Sequence, residues 1–147
     1  EYCLQLKSIV IPSSVKSIGV NAFGSCYNLT SIEIPQSVTF IGCYAFDRCI
    51  RLENIKIPSS VKSIECSTFS VCSSLKSIEI PSSVTSIGAN AFAYCSSLKS
   101  IKIPSSVKSI GDNVFSCCAL ESIEIPFPID LQKSGIFSKI EVKINDA

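Results

Sequence analysis

The sequence is built on a repeat of 23 residues. The segment IPSSVKSI occupies residues 11–18 and returns letter for letter at 57–64 and 103–110, while imperfect copies occupy 34–41 and 80–87. Self-similarity at a fixed period of this length indicates an array of stacked repeats, not a single globular domain. Because perfect and imperfect copies alternate, a longer period of two repeats is superimposed on the short one.

Three residue types recur in columns of this repeat. Proline stands at 12, 35, 58, 81 and 104, and then one residue early at 126. Phenylalanine and cysteine follow the same spacing, and free cysteine is among the most often buried residue types. We therefore predict two buried core columns: Phe23, Phe46, Phe69, Phe92 and Phe115 in one, and Cys26, Cys49, Cys72, Cys95 and Cys118 in the other.

Each repeat predicts a strand, an extended segment and a helical turn. Ile32, Glu33 and Ile34 alternate apolar and polar side chains, which is typical of a strand, and Pro35 ends the strand because proline cannot donate to a ladder. A second extended segment ends at a corner that glycine permits at Gly42. Phenylalanine, cysteine and leucine then recur at every third residue, the spacing of one helical or 3₁₀ turn.

A single repeat cannot bury its apolar residues, because they point to a core that only neighbouring repeats can close. We therefore predict one right-handed, β-rich solenoid over residues 1–147, with one parallel sheet on its concave face and strands ~4.8 Å apart. Regular coils run from about 3 to 126. Residues 127–147 fit the repeat poorly and are expected to form a degenerate last coil or a cap. We expect the chain to be a fragment of a longer protein.

The patterns L-x-x-I-x-I-P, S-V-x-x-I-G, A-F and C-x-x-L resemble the BspA-like class of leucine-rich repeats, over residues 3 to about 126. The resemblance implies a solenoid of the leucine-rich-repeat type and a cell-surface or extracellular adhesion module that binds host, matrix or neighbouring-cell proteins. One departure is that serine takes the familiar asparagine position of ordinary leucine-rich repeats, at Ser14, Ser37, Ser60, Ser83 and Ser106.

The exposed strand position carries charges of alternating sign. If the strands stack, a binding column forms in the order Val10, Glu33, Lys56, Glu79, Lys102 and Glu124. Opposite charges on adjacent strands stabilise by roughly 0.2–1 kcal/mol per pair, whereas an unvaried repeat would stack like charges. The two-repeat period thus favours a charge-alternating block. Recent duplication without any electrostatic role is the alternative.

The composition excludes several classes of chemistry. The net charge of +1 gives no electrostatic footprint for nucleic acid, and no run of ~20 apolar residues that could enter a membrane is present. The absence of histidine removes the usual general base, and the serines recur as turn residues. Metal-binding C-x₂₋₄-C pairs are missing. We predict no catalytic residue, no metal and no cofactor.

Two further cysteines, Cys43 and Cys66, lie on consecutive repeats at a corner and are the candidate disulfide pair. The sequence also contains a formal N-glycosylation sequon at Asn28, followed by Leu29 and Thr30. Leu29 belongs to the predicted core, which weakens that match.

A second candidate binding surface is formed by residues in the early repeats that differ from their counterparts elsewhere. These apolar and arginine residues have the composition of interface hot spots, although drift on a tolerant surface would also produce them. They are Tyr27, Phe40, Arg48, Ile50 and Arg51.

These features favour a non-catalytic protein-binding solenoid. An intracellular scaffold of the same fold is the alternative, supported by the reduced thiols expected for the core. An enzyme is disfavoured because no singular polar cluster is present. The first repeat begins with Tyr2, Leu4 and Leu6 and no polar cap, so we expect its open end to continue in a longer chain or to pair end to end with a second copy.

Overall fold

The computed structural model describes residues 3–128, 130, 132–136 and 139–144. Within them the chain forms short parallel strands in two rows, and both rows follow the repeat. In chain order the strands are β1 (Ser8–Val10), β2 (Ser17–Ile18), β3 (Ser31–Glu33), β4 (Phe40–Ile41), β5 (Asn54–Lys56), β6 (Ser63–Ile64), β7 (Ser77–Glu79), β8 (Ser86–Ile87), β9 (Ser100–Lys102), β10 (Ser109–Ile110), β11 (Ser122–Ile125) and β12 (Glu141–Ile144). The first row contains the odd-numbered strands and β12, and the second row contains the other even-numbered strands.

We number the coils so that each contains one strand of the first row: coil 1 is 7–29, coil 2 is 30–52, coil 3 is 53–75, coil 4 is 76–98, coil 5 is 99–120 and coil 6 is 121–139. Equivalent residues of adjacent coils pair in register: Ser8 faces Ser31, and Asn54 faces Ser77. The predicted repeat solenoid with parallel strands is confirmed. The last coil is shorter than a full repeat. Ser122 of β11 pairs in parallel with Glu141 of β12, which is fewer than 23 residues further along the chain.

The prediction of a helical or 3₁₀ turn in each coil is wrong. Within the described residues the chain forms no helix, and consecutive reverse turns occupy this third side of each coil. Two positions per turn segment have positive φ without being glycine, as at Tyr44 and Arg48 in coil 2, each with φ of 59°. The backbone N–H of every second residue is thereby directed at the next coil: Phe46 N donates to Thr68 O at 2.9 Å. A helix would have kept these bonds within the coil.

The core is a stack of identical side chains. The five phenylalanine rings lie parallel, with adjacent centroids 5.4 to 6.1 Å apart and interplanar angles of 5 to 9°. The four column cysteines from coil 2 onward each donate from the thiol to a phenylalanine carbonyl of the preceding coil, as Cys72 Sγ does to Phe46 O at 3.2 Å. Most members of both columns are buried. Phe23 and Cys118, at opposite ends of the columns, are only half-buried.

The serines that stand at the asparagine position of ordinary leucine-rich repeats also link the coils. The hydroxyls of Ser37, Ser60 and Ser83 donate to the valine carbonyl of the preceding coil at 2.8, 2.5 and 2.7 Å. The equivalent Ser106 hydroxyl is buried without a hydrogen-bond partner among the described residues.

The expected single sheet is interrupted. In the first row, hydrogen bonds join β1 to β3, β5 to β7, and β9 to β11, so within the described strands they skip the junctions between coils 2 and 3 and between coils 4 and 5. Neighbouring strands still touch at both interruptions. The ladder therefore has the two-coil period that the sequence repeats show.

The second row is interrupted once, between β4 and β6. The reason is that coil 3 has no glycine at the corner after this row. At the corner after this row, Gly42, Gly88 and Gly111 lie so close to the preceding coil that a Cβ would stand 2.4 to 2.7 Å from a backbone nitrogen. Coil 3 has Glu65 at the equivalent position, and its Cβ requires a wider separation. The N–H groups of Gly42 and Gly88 donate to the preceding coil at 2.9 and 2.7 Å, whereas that of Glu65 forms no such bond within the described backbone.

Candidate binding surfaces

The predicted charge column lies on the outer face of the first row. Glu33, Lys56, Glu79 and Lys102 are exposed and occupy equivalent positions, and Glu124 is half-buried beside Lys102. Two pairs of opposite charges stand in register where the ladder is formed: Lys56 with Glu79, and Lys102 with Glu124. The column also extends further than the sequence indicated, since Lys143 of β12 faces Glu124.

The two in-register pairs differ in their side chains. Lys102 Nζ lies 2.5 Å from Glu124 Oε1, whereas among the described residues no ion pair joins Lys56 to Glu79. The column therefore retains groups that are exposed to an external partner.

A neighbouring column of ion pairs was missed by the sequence reasoning. Lys76 Nζ lies 2.7 Å from Glu53 Oε2, and Lys99 Nζ lies 3.1 Å from Glu121 Oε1. These residues immediately precede the first-row strands, and their opposite signs at a separation of about one repeat are the signal that could have revealed them. Both pairs cross junctions at which the first-row ladder is formed.

The charge column borders two adjoining grooves. A groove of about 400 Å³ lies between coils 4 and 5, at the interrupted junction, and is lined by Glu79, Lys102 and prolines 81 and 104. A second, of about 230 Å³, is lined by Lys56, Glu79 and Pro81, among others. The shared residues Glu79 and Pro81 connect them, so three members of the predicted column face recessed space.

The second predicted set does not form one patch. Phe40 lies on β4 in the second row and is 44% exposed. Arg48 lies in the turn segment, where its Nε is 3.5 Å from Asp47 Oδ2. The other three lie at the return corner before the first row: Ile50 and Arg51 are exposed, and Tyr27 is half-buried.

Two further exposed apolar side chains lie at the corner that follows the second-row strands, near Phe40. Tyr44 is 46% exposed four residues later, and Val20 is exposed on the adjacent coil, where Asn21 N donates to Cys43 O at 3.0 Å. We call Val20, Phe40 and Tyr44 the corner patch. Tyr44 replaces the asparagine that recurs at Asn21, Asn90 and Asn113, which is the signal that could have revealed it, whereas Val20 lies in a column without a majority residue.

The column cysteines are protected thiols. Burial raises the pKa of Cys49 to about 12 and that of Cys118 to about 11, and it raises the pKa of Cys72 and Cys95 well above the ordinary value. A thiol is nucleophilic or metal-binding only as thiolate, so these residues are held in the unreactive form. All nine cysteines are free thiols.

The sequon asparagine is already engaged. Asn28 is half-buried, and its Nδ2, the atom that would carry a sugar, donates to Leu4 O at 2.5 Å. Glycosylation would require this bond between coils to break, so the structure argues against modification at this site.

Comparison with known proteins identifies the repeat. The family described as BspA type Leucine rich repeat region matches residues 1–121 and 68–145, in 6 copies. The chain belongs to this family. Among curated proteins no match is found. No helix within the described residues is long and apolar enough to cross a membrane.

Solved structures of bacterial leucine-rich repeat proteins share the fold. A leucine-rich repeat protein of T. pallidum superposes with a TM-score of 0.83 at 30% identity, covering 93% of this chain and 69% of that protein. One from Bacteroides ovatus gives 0.75 at 38% identity over 81% of this chain and 39% of its own. A leucine-rich cell surface protein from Faecalibacterium prausnitzii gives 0.51 at 22% identity, covering 99% of this chain and 61% of its own.

Proposed function

We propose that this BspA-type solenoid is a non-catalytic protein-binding module displayed at a cell surface, where it mediates adhesion to host, matrix or neighbouring-cell proteins. The family is one of repeat modules that generally act by binding, and a protein described as a cell surface protein shares the fold. The chain spans well under two thirds of the B. ovatus relative, so this role concerns the segment described here.

The observation that carries the proposal is the recessed, charge-alternating surface of the first row. Lys56, Glu79 and Lys102 line connected grooves and project from a rigid parallel framework. Such a surface suits a protein segment that carries both acidic and basic side chains, because charges of both signs at fixed spacing select a partner by register.

The corner patch is a second contact surface in this proposal. Phe40 and Tyr44 supply exposed aromatic area, and aromatic residues with arginine dominate the binding energy of many interfaces. Arg48 and Arg51, on the same coil, are exposed and would extend the contact.

A binding assay with immobilised chain tests both surfaces. Extracellular matrix and host-surface proteins are screened, and any that bind are measured again with two variants: K56Q/E79Q/K102Q for the grooves and F40S/R51A for the second coil. Tyr94→Asn is the matched control, because Tyr94 is 54% exposed but lies on coil 4, outside the corner patch. We expect at least a tenfold loss for one surface variant and an unchanged affinity for the control. A ligand that binds both variants as tightly as the wild-type chain would contradict the proposed surfaces.

Location is tested with an antibody raised against residues 1–147. Surface signal on intact, unpermeabilised source cells that external protease removes is the expected result. Signal that appears only after permeabilisation would support the alternative of an intracellular scaffold. The free, buried thiols favour that alternative, because cytosolic proteins keep their thiols reduced.

We also propose that the edge of β1 can pair with a second copy. Within the described residues β1 is hydrogen-bonded only to β3, and Leu4, Ile9 and Val10 are exposed, Val10 by 84%. Tyr2, which the sequence placed in the same surface, lies outside the described residues. Light scattering should show a mass that rises with concentration and returns to that of a monomer in Val10→Lys. A monomer at all concentrations would contradict end-to-end pairing.

A further inference from the structure

The junction between coils 2 and 3 differs from the other junctions of coils 1 to 5. Both strand rows lose their hydrogen bonds there, since neither β3–β5 nor β4–β6 is joined within the described strands. Backbone hydrogen bonds between these coils remain in the turn segments, including Tyr44 N to Cys66 O at 3.1 Å. This junction is therefore the least constrained of the stack.

Two cysteines face each other across this junction. Cys43 and Cys66 occupy equivalent positions directly after the glycine corner of coil 2 and its Glu65 counterpart in coil 3. Both are half-buried free thiols on equivalent positions of adjacent coils. The bond from Tyr44 N to Cys66 O, directly after Cys43, keeps the two residues side by side even though the strand rows are interrupted. Backbones joined by such a bond lie ~4.8 Å apart, within the range of Cα separations that a disulfide spans.

We propose that Cys43 and Cys66 are a redox-active pair that forms a disulfide across the junction between coils 2 and 3 when the chain meets a low-molecular-weight disulfide. Within the described strands neither row is hydrogen-bonded at this junction, so the disulfide would add a covalent link between coils that the strands do not join. It requires no assumption about what the solenoid binds.

The exchange proceeds in two steps that balance. The Cys43 thiolate attacks one sulfur of the external disulfide, forms a mixed disulfide and releases one small thiolate. The Cys66 thiol then gives its proton to solvent, and its sulfur attacks Sγ of Cys43 and releases the second small thiolate. Two protein thiols are oxidised to one disulfide, and the external disulfide is reduced to two thiols.

The order of attack follows from the surroundings of Cys66. The neighbouring Cys43 thiol, together with burial and nearby Glu65, raises the pKa of Cys66 to about 11, so Cys66 is a poor first nucleophile. Once Cys43 carries the small-molecule sulfur, its thiol no longer opposes ionisation of Cys66, and Cys66 is positioned as the resolving thiol.

The other cysteines do not offer an equivalent pair. Cys3 and Cys26 also contact each other, but Cys26 is fully buried, and burial is the main cause that raises its pKa to about 11. A cross-link there would join Cys3, before the first strand, to coil 1 and would leave the interrupted junction between coils 2 and 3 unbridged. Cys117 and Cys118 are adjacent in the chain, which leaves no coil junction for them to bridge.

The experiment is equilibration of the whole chain in glutathione disulfide and glutathione, followed by alkylation and tryptic mass spectrometry without reductant. Arg48, Lys56 and Lys62 lie between the two thiols, so cleavage separates them unless they are bonded. We expect one dominant cross-linked species, assigned to Cys43 and Cys66 by fragmentation, and a melting temperature several degrees higher that reductant restores.

Serine variants distinguish the steps. Cys66→Ser should accumulate one glutathione on Cys43, Cys43→Ser should form no cross-link to Cys66, and the control Cys3→Ser should cross-link as the wild-type chain does. A glutathione that stays on Cys43 of the wild-type chain without closure, a Cys3–Cys26 product in equal yield, or no change at either thiol would overturn the proposal.

Discussion

The junction between coils 2 and 3 and the junction between coils 3 and 4 are built from nearly the same residues but are held together differently. At the second, β5 pairs with β7 and β6 pairs with β8, and Gly88 N donates to Ile64 O at 2.7 Å. At the first, both rows are interrupted within the described strands. The phenylalanine column crosses the two junctions almost unchanged, with centroids 5.6 and 5.7 Å apart. Stacking in this solenoid therefore rests on the core columns and turn segments, and the strand ladders add to it.

The largest effect is expected from removing a ring that serves both junctions. Phe69 stacks on Phe46 and Phe92 and is fully buried, so Phe69→Ala should lower the free energy of unfolding by about 3–5 kcal/mol in urea titration. Phe23→Ala is the matched control, because Phe23 is half-buried and has one stacking neighbour in the described chain. Equal losses for the two variants would show that the column does not carry the stacking.

The next prediction converts the intact junction into the interrupted one. Gly88→Ala places a Cβ 2.6 Å from Cys66 N and 2.8 Å from Glu65 C, both backbone atoms, so coils 3 and 4 must separate. We expect a loss of about 1–3 kcal/mol of unfolding free energy. Gly19→Ala, whose Cβ would meet nothing within 4 Å, should change stability by no more than about 1 kcal/mol and in the stabilising direction. A harmless Gly88→Ala would mean that close approach does not decide where the ladder forms.

This comparison also shows what the sequence could and could not predict. The period, the parallel strands and the buried columns follow from repeated apolar residues, because a column that recurs every 23 residues must stack on itself. The helical turn was wrong because a spacing of three residues also fits successive reverse turns. The first positive-φ position of the turn segments carries the asparagines at 21, 90 and 113, which tolerate that conformation, but the second, Arg48 in coil 2, has no repeated residue. Local spacing cannot distinguish bonds within a coil from bonds between coils.

The interruption of the second strand row between coils 2 and 3 has a sequence signal, but its meaning becomes clear only from the structure. Glu65 is the one non-glycine in the column of Gly19, Gly42, Gly88 and Gly111, but that exception matters only once the 2.4 to 2.7 Å approaches are known. The candidate surfaces behave similarly. The charge column could be predicted because it repeats. Tyr44 could have been found as the exception to the asparagines at 21, 90 and 113, whereas Val20 comes from a column without a majority residue.

The reverse substitution should repair the interrupted junction. Glu65→Gly removes the Cβ and allows residue 65 N to donate to the preceding coil, as Gly42 and Gly88 do. Backbone hydrogen bonds contribute about 0.5–1.5 kcal/mol each, and the added glycine costs about 0.5–1 kcal/mol, so a net gain of about 0.5–1 kcal/mol is expected once β4 and β6 pair. Slower hydrogen exchange at residues 64 and 65 would identify the new bonds. Exchange that remains as fast as in the wild-type chain would show that another feature separates these coils.

The smallest effect concerns the charge column and compares a formed pair with an unformed one. Lys102 Nζ lies 2.5 Å from Glu124 Oε1. Lys56 faces Glu79 in register but makes no ion pair in the described chain. Exposed ion pairs contribute roughly 0.2–1 kcal/mol, so Lys102→Gln should cost that much at low salt and Lys56→Gln less. Because the screening length falls to about 3 Å at 1 M salt, the difference between the variants should vanish there. Thermal melts at both ionic strengths measure it. A cost for Lys102→Gln that is the same at low and high salt would mean that packing of the lysine stem, and not its charge, joins β9 to β11, and the alternating signs would then be left to ligand recognition or to duplication.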